Sequence, residues 1–168
     1  MTKVEFKKII NTAFVSGGFR VVEKRLRLDG TDAVILADLQ KSQYGEDYFI
    51  NIGFWLRALA GQVPSKVERC HMYYRLESLF PEWGDQVKDG SQLTLSGQPE
   101  AAARLAAVIL HECAPVFVEL ANSERAIRTR FSQGGFNQGL ILKAARAYLD
   151  GPALGSSYSA PGSSGEVT

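Results

Sequence analysis

Residues Asp38 to Leu56 read DLQKSQYGEDYFINIGFWL. Side chains alternate across an extended strand, so period-two patterning marks one. From Tyr48 onward, Tyr48, Ile50, Ile52, Phe54 and Leu56 fall on one side. Phe49, Asn51, Gly53, Trp55 and Arg57 fall on the other. The first set predicts a face turned to a core. The second is mixed and needs another explanation. Gln43 to Asp47, centred on Gly45, reads as the turn joining this strand to the one before it.

Working outward, Ala33 to Lys41 is predicted as the preceding strand, and Tyr48 to Leu59 as the long one. Asp29-Gly30-Thr31-Asp32 supplies an Asp-Gly turn, and Phe19 to Leu28 is predicted as a single first strand. Val67 to Leu76 is predicted as the fourth strand, up to a stop at Pro81. It would set Cys70, Met72, Tyr74 and Leu76 against Arg69, His71, Tyr73 and Arg75. Thr2 and Glu5 form a capping box for a helix to Phe14, ended by Ser16-Gly17-Gly18. Glu82 to Gly97 reads as irregular, anchored by Trp83, with Leu93-Thr94-Leu95 as a short extra strand. Helices are predicted over Gln98 to Leu120, interrupted by Pro115, over Glu124 to Phe131, and over Asn137 to Leu149.

These elements predict an α+β fold. An antiparallel meander of four to five strands is packed on one face by the N-terminal helix and the C-terminal helices. The expected core includes Phe6, Ile10, Ile35, Leu39, Ile50, Ile52, Phe54, Met72, Leu105, Ile109 and Phe117. With 168 residues, one domain is expected over 1–150. Residues 151–168, GPALGSSYSAPGSSGEVT, have the composition of a flexible tail.

The formal net charge is +1, so no bulk field draws the chain to nucleic acid or an anionic membrane. Residues 1–28 carry seven Lys and Arg against two Glu, a local excess that suits a solvated helix and a guarded edge strand. The opening MTKVEFKKII has no long apolar run, and no stretch is expected to cross a membrane. Two cysteines are too few for a disulfide framework, which points to a reduced, cytoplasmic protein.

The stretches LQKS, YFINIGFWL and CHMYYRLESLFPEW resemble a bacterial family described only as domain of unknown function 4304. The matching positions are Leu39, Gln40, Lys41 and Ser42; Tyr48, Asn51 and Gly53; and Cys70, His71, Arg75 and Leu76. The likeness covers roughly residues 4–130. It implies an α+β domain and no established activity, hence a fold and not a function.

Catalytic patterns are lacking. His111-Glu112-Cys113 is not the zinc-protease H-E-x-x-H, and residues two apart on a helix face different sides. Cys70 and His71 are adjacent on a predicted strand and point apart. No Gly-x-Ser-x-Gly elbow occurs. No metal and no cofactor is expected. Arg125, Arg128 and Arg130 precede Gly134, Gly135 and Gly139 at a helix start, the ingredients of an anion site. Phe49, Trp55 and Tyr73 on a sheet would suit single-stranded nucleic acid, but the strands around them lean acidic.

The second sheet face thus carries Gln40, Asn51, Trp55, Arg57, His71, Tyr73 and Arg75 without a catalytic set. Aromatic and Arg side chains beside amides are enriched at protein interfaces. The expectation is a non-enzymatic protein-binding module of immunity or adaptor type. The alternative is a binder of a small anionic ligand or nucleic acid, using the arginines before Gly134 or the basic first strand.

Overall fold

The computed structural model describes residues 1–153, so the expected tail lies outside the described residues from 154 onward. Six strands pair in chain order, each antiparallel to the last. They are β1 (Arg20–Val22), β2 (Arg25–Asp29), β3 (Ala33–Lys41), β4 (Tyr48–Leu56), β5 (Met72–Arg75) and β6 (Leu140–Ile141). The β3–β4 pair is the centre, in register from Ala33 opposite Leu56 to Lys41 opposite Tyr48. The turn between them closes with the Ser42 N–H donating to the Asp47 carbonyl at 2.8 Å. The α+β class and the antiparallel sheet are as the sequence predicts, with one strand more than the upper expectation.

Helices cover the apolar face. Helix α1 (Lys3–Ser16) begins with the expected capping box and buries Phe6, Ile10, Ala13 and Phe14 along one stripe. Helix α4 (Gln98–Val108), a wide helical turn over Ile109–Cys113, and α5 (Ala114–Asn122) form the second pillar. Leu105, Ile109, Cys113 and Phe117 from this run meet Ile35, Ile50, Ile52 and Phe54 from the sheet in one core. The expected core is buried except Leu39, which is half-buried. Burying a side chain such as Phe54 contributes roughly 1.5–3 kcal/mol. The shorter helices are α2 (Leu76–Leu79), α3 (Gly84–Ser91), α6 (Glu124–Ser132) and α7 (Lys143–Asp150).

Several elements differ from expectation. The first strand is two. Glu23 and Lys24 adopt φ of 50° and 67°, making a two-residue hairpin turn that pairs Val22 with Arg25. Such turns normally carry Asn-Gly, so Glu-Lys gives no warning. Residues 84–91 are helical, not irregular. Leu93–Leu95 adds no strand; only a bridge between Asp47 and Gln92 forms there.

The added strand is β6, inside the expected last helix. It pairs Met72 with Ile141 and Tyr73 with Leu140. Gly139 lets it approach, since a Cβ there would lie 2.0 Å from Tyr74 Cδ1. The predicted fourth strand is shortened to Met72–Arg75, preceded by a tight turn at Val67–Arg69. Cys70 therefore does not join the main core face.

Pro115 interrupts its helix as expected, and does so at the wide turn, where the Ala114 N–H bonds the Ile109 carbonyl. The helical run Gln98–Asn122 has the length and apolar composition of a membrane-crossing helix, contrary to the expectation that no stretch would. Here its apolar stripe is spent on the sheet.

Candidate functional site

The mixed face is read from the strand register. Asp38 lies opposite Asn51, and Asn51 opposite Arg75, so the three form one row across β3, β4 and β5. Gln40 and Phe49 form the next row. Leu36, Gly53 and Tyr73 form a row on the other side, followed by Val34 and Trp55.

Half of this face is closed. The segment after β4 folds back across it, so Val34, Leu36, Val67 and Cys70 form a second small core with Trp55, Val63 and Tyr73 packed on it. Gly53 permits the crossing, because a Cβ there would lie 2.7 Å from both Cys70 Sγ and the Val67 carbonyl oxygen. Burial, with Glu68 adding to it, pushes the Cys70 thiol up to about 12. It is a small buried apolar group, not a thiolate nucleophile. Cys113, in the main core, is likewise raised to about 12 by burial.

Trp55 and His71 belong to this closed half. Their rings stack 3.7 Å apart at 18°. His71 is buried, and its Nδ1 accepts the Leu56 N–H at 2.9 Å. Desolvation lowers its pKa, consistent with a neutral ring that accepts. Arg57 leaves the face altogether. Its Nε donates to the Gly30 carbonyl at 2.8 Å and its Nη2 to Asp29 Oδ1 at 3.3 Å, bracing the β2–β3 turn.

The other half carries exposed Gln40 and Arg75 over the buried Asn51, with Tyr73 at the border, half-buried against the second core. Asn51 is 3 % exposed and donates through Nδ2 to Asp38 Oδ1 at 3.1 Å and to Gln40 Oε1 at 2.9 Å. Its own Oδ1 is buried without a hydrogen-bond partner. An orphaned acceptor of this kind costs about 1–3 kcal/mol. Desolvation raises the Asp38 pKa, and Glu68 adds to it, against the Asn51 hydrogen bond and Arg25. Arg75 is exposed and lays its guanidinium 3.7 Å over the Phe49 ring. Among the described residues it makes no ion pair. Desolvation, then Asp38, raises the Tyr73 phenol.

The structure thus brings Gln40, Asn51, Tyr73 and Arg75 together and sets Trp55, His71 and Arg57 apart as bracing. It adds Asp38 and Phe49 to the patch. Both lie on the mixed face in the sequence, but only the register shows that Asp38 holds Asn51 and Phe49 supports Arg75.

The arginines before Gly134 do not converge. Arg128 donates to Glu124 Oε1 at 2.7 Å and to the Gly151 carbonyl at 2.7 Å, above Tyr148. Arg130 reaches the Leu79 carbonyl and lies over Phe80 and Phe136. The Gly135 N–H is spent on the Arg130 carbonyl at 2.9 Å. Arg125 is left exposed beside a shallow groove between α5 and α6. Among the described residues, no group of three or more His, Cys, Asp or Glu is placed to hold a metal ion.

A family model described as a domain of unknown function, number 4304, matches residues 10–108. This span runs from the middle of α1 to the end of α4 and contains the whole open patch. No curated protein and no solved structure matches the chain.

Proposed function

Because this chain belongs to the domain of unknown function 4304 family, whose description assigns no activity, we propose a function from its own surface: a protein-binding module of adaptor or immunity type. The interface is the open half of the second sheet face. One observation carries the reading. Exposed Gln40 and the Arg75–Phe49 stack lie over the buried Asn51, on the part of the sheet face that the second core does not include, with half-buried Tyr73 at the border. Arg and Tyr on a rigid sheet are the residue types that dominate interface energetics. Two free, buried cysteines support a reducing, cytoplasmic setting.

The test is co-purification of the tagged protein from its source cells, beside a Gln40→Ala/Arg75→Ala variant. Both side chains are exposed, and the Asn51 amide keeps Asp38 as an acceptor when Gln40 is removed, so the fold should be retained, as a thermal melt of the variant checks. A specific protein should be recovered with the native chain and reduced about tenfold or more with the variant. Equal recovery from both would reject the patch. Recovery of nucleic acid instead, released steeply by salt, would favour the phosphate-binding alternative.

A further inference from the structure

A second site lies at the end of the sheet, between the start of β4 and the α2–α3 segment. It is a cleft of about 420 Å3, within the range of small-ligand pockets. Tyr48, Phe49, Pro81 and Val87 line it, which gives an aromatic and aliphatic slot. The bridge between Asp47 and Gln92, both lining residues, ties the strand to the end of α3.

Ser91 also lines the cleft. It is 4 % exposed, and its Oγ has no hydrogen-bond partner. A serine late in a helix ordinarily bonds the carbonyl four residues back. Ser91 does not use Val87 in this way, so its hydroxyl is buried without compensation. A hydroxyl left unpaired beside a cleft is a group that a hydrogen bond from outside the chain would complete. The charged lining residues are Asp47, Glu77 and Lys88, and none of them is in an ion pair among the described residues. The lining itself carries two carboxylates against one ammonium, while Arg75 and Lys7, which are not lining residues, stand over the Phe49 and Tyr48 rings.

We propose that this cleft binds a small aromatic amine, its ring among Tyr48, Phe49, Pro81 and Val87, a ring hydroxyl or carbonyl on Ser91 Oγ, and its ammonium at Asp47 and Glu77. Aromatic side chains on the wall suit a ring through offset or edge contacts. The proposal does not depend on the protein-binding patch, and Phe49 is the one residue they share.

Three probes test it by titration into 15N-labelled protein: tyramine, phenethylamine and 4-hydroxyphenylacetate. Tyramine should shift the amide signals of Phe49, Val87 and Ser91. Phenethylamine, lacking the hydroxyl, should bind about fivefold more weakly. The carboxylate analogue should bind more weakly than either amine. Ser91→Ala should bring tyramine down to the level of phenethylamine and leave phenethylamine unchanged. Asp47→Asn/Glu77→Gln should erase the preference for amine over acid. These variants remove an unpartnered hydroxyl and two uncommitted carboxylates, so the fold survives them. No shift with tyramine, equal binding of the acid, or indifference of tyramine to Ser91→Ala would each overturn the proposal.

Discussion

Asp38 and Asp29 show how two carboxylates in one sheet respond oppositely to their surroundings. Asp38 is held above the ordinary carboxylate range, chiefly by desolvation. Its protonated form is favoured on folding, so its contribution falls as pH rises from the unfolded value through the folded one. Asp29 is held down to about 2, first by hydrogen bonding from Arg27, with Arg20 adding to it. It contributes above the unfolded pKa, near 4, and that contribution is lost as pH falls toward 2. Asp38→Asn should therefore raise the thermal midpoint at pH 7 and leave it unchanged near pH 3. Asp29→Asn should lower the midpoint at pH 7. Thermal melts of the two variants across pH check both signs, and a loss of stability at pH 7 with Asp38→Asn would refute the burial account. The mixed polarity of this face was visible in the alternation of residues 48–57. The pairing of Asn51 with Asp38 and Gln40 needed the strand register, and the stacking of Trp55 on His71 needed a chain crossing that no local pattern announces.

At the scale of elements, legibility followed period and punctuation. Helix α1 was readable because its cap, apolar stripe and terminating glycines are all local. Strands β3 and β4 were readable for the same reason. The β1–β2 hairpin was not, since Glu23 and Lys24 occupy left-handed positions that ordinarily call for Asn and Gly. Left-handed backbone costs a non-glycine residue about 1–2 kcal/mol. Replacing Glu23-Lys24 by Asn-Gly should stabilise the protein by about 1 kcal/mol with no change in urea m-value. A lower urea midpoint would show that these side chains have a role beyond the turn. Strand β6 escaped because two residues carry no periodicity. Its existence depends on Gly139 lying against Tyr74, a contact with a residue far away in sequence.

The described residues form two hydrophobic cores of unequal size on the two faces of one sheet. The larger is sealed by α1, α4 and α5. The smaller is sealed mainly by the segment that follows β4, which contributes few backbone hydrogen bonds and one tight turn. Segments with fewer buried contacts open at lower free energy than the global transition. Each core holds one free cysteine, Cys70 in the smaller and Cys113 in the larger. Pulsed alkylation read by mass spectrometry should label Cys70 before Cys113 under native conditions. Equal labelling rates would show that the two faces open as one unit. Class of fold, the polarity of each sheet face and the main helical pillars were legible from the chain, because alternation, helical stripes, caps and glycine breaks are set by near neighbours. Distant contacts settled the rest: which half of the second face stays open, where β6 attaches, that Arg128 and Arg130 are consumed internally while Arg125 stays exposed, and that a cleft forms around Ser91. Those outcomes turn on which remote backbone approaches Gly53 and Gly139, and on where buried polar atoms find no partner, and neither is encoded in any short stretch of sequence.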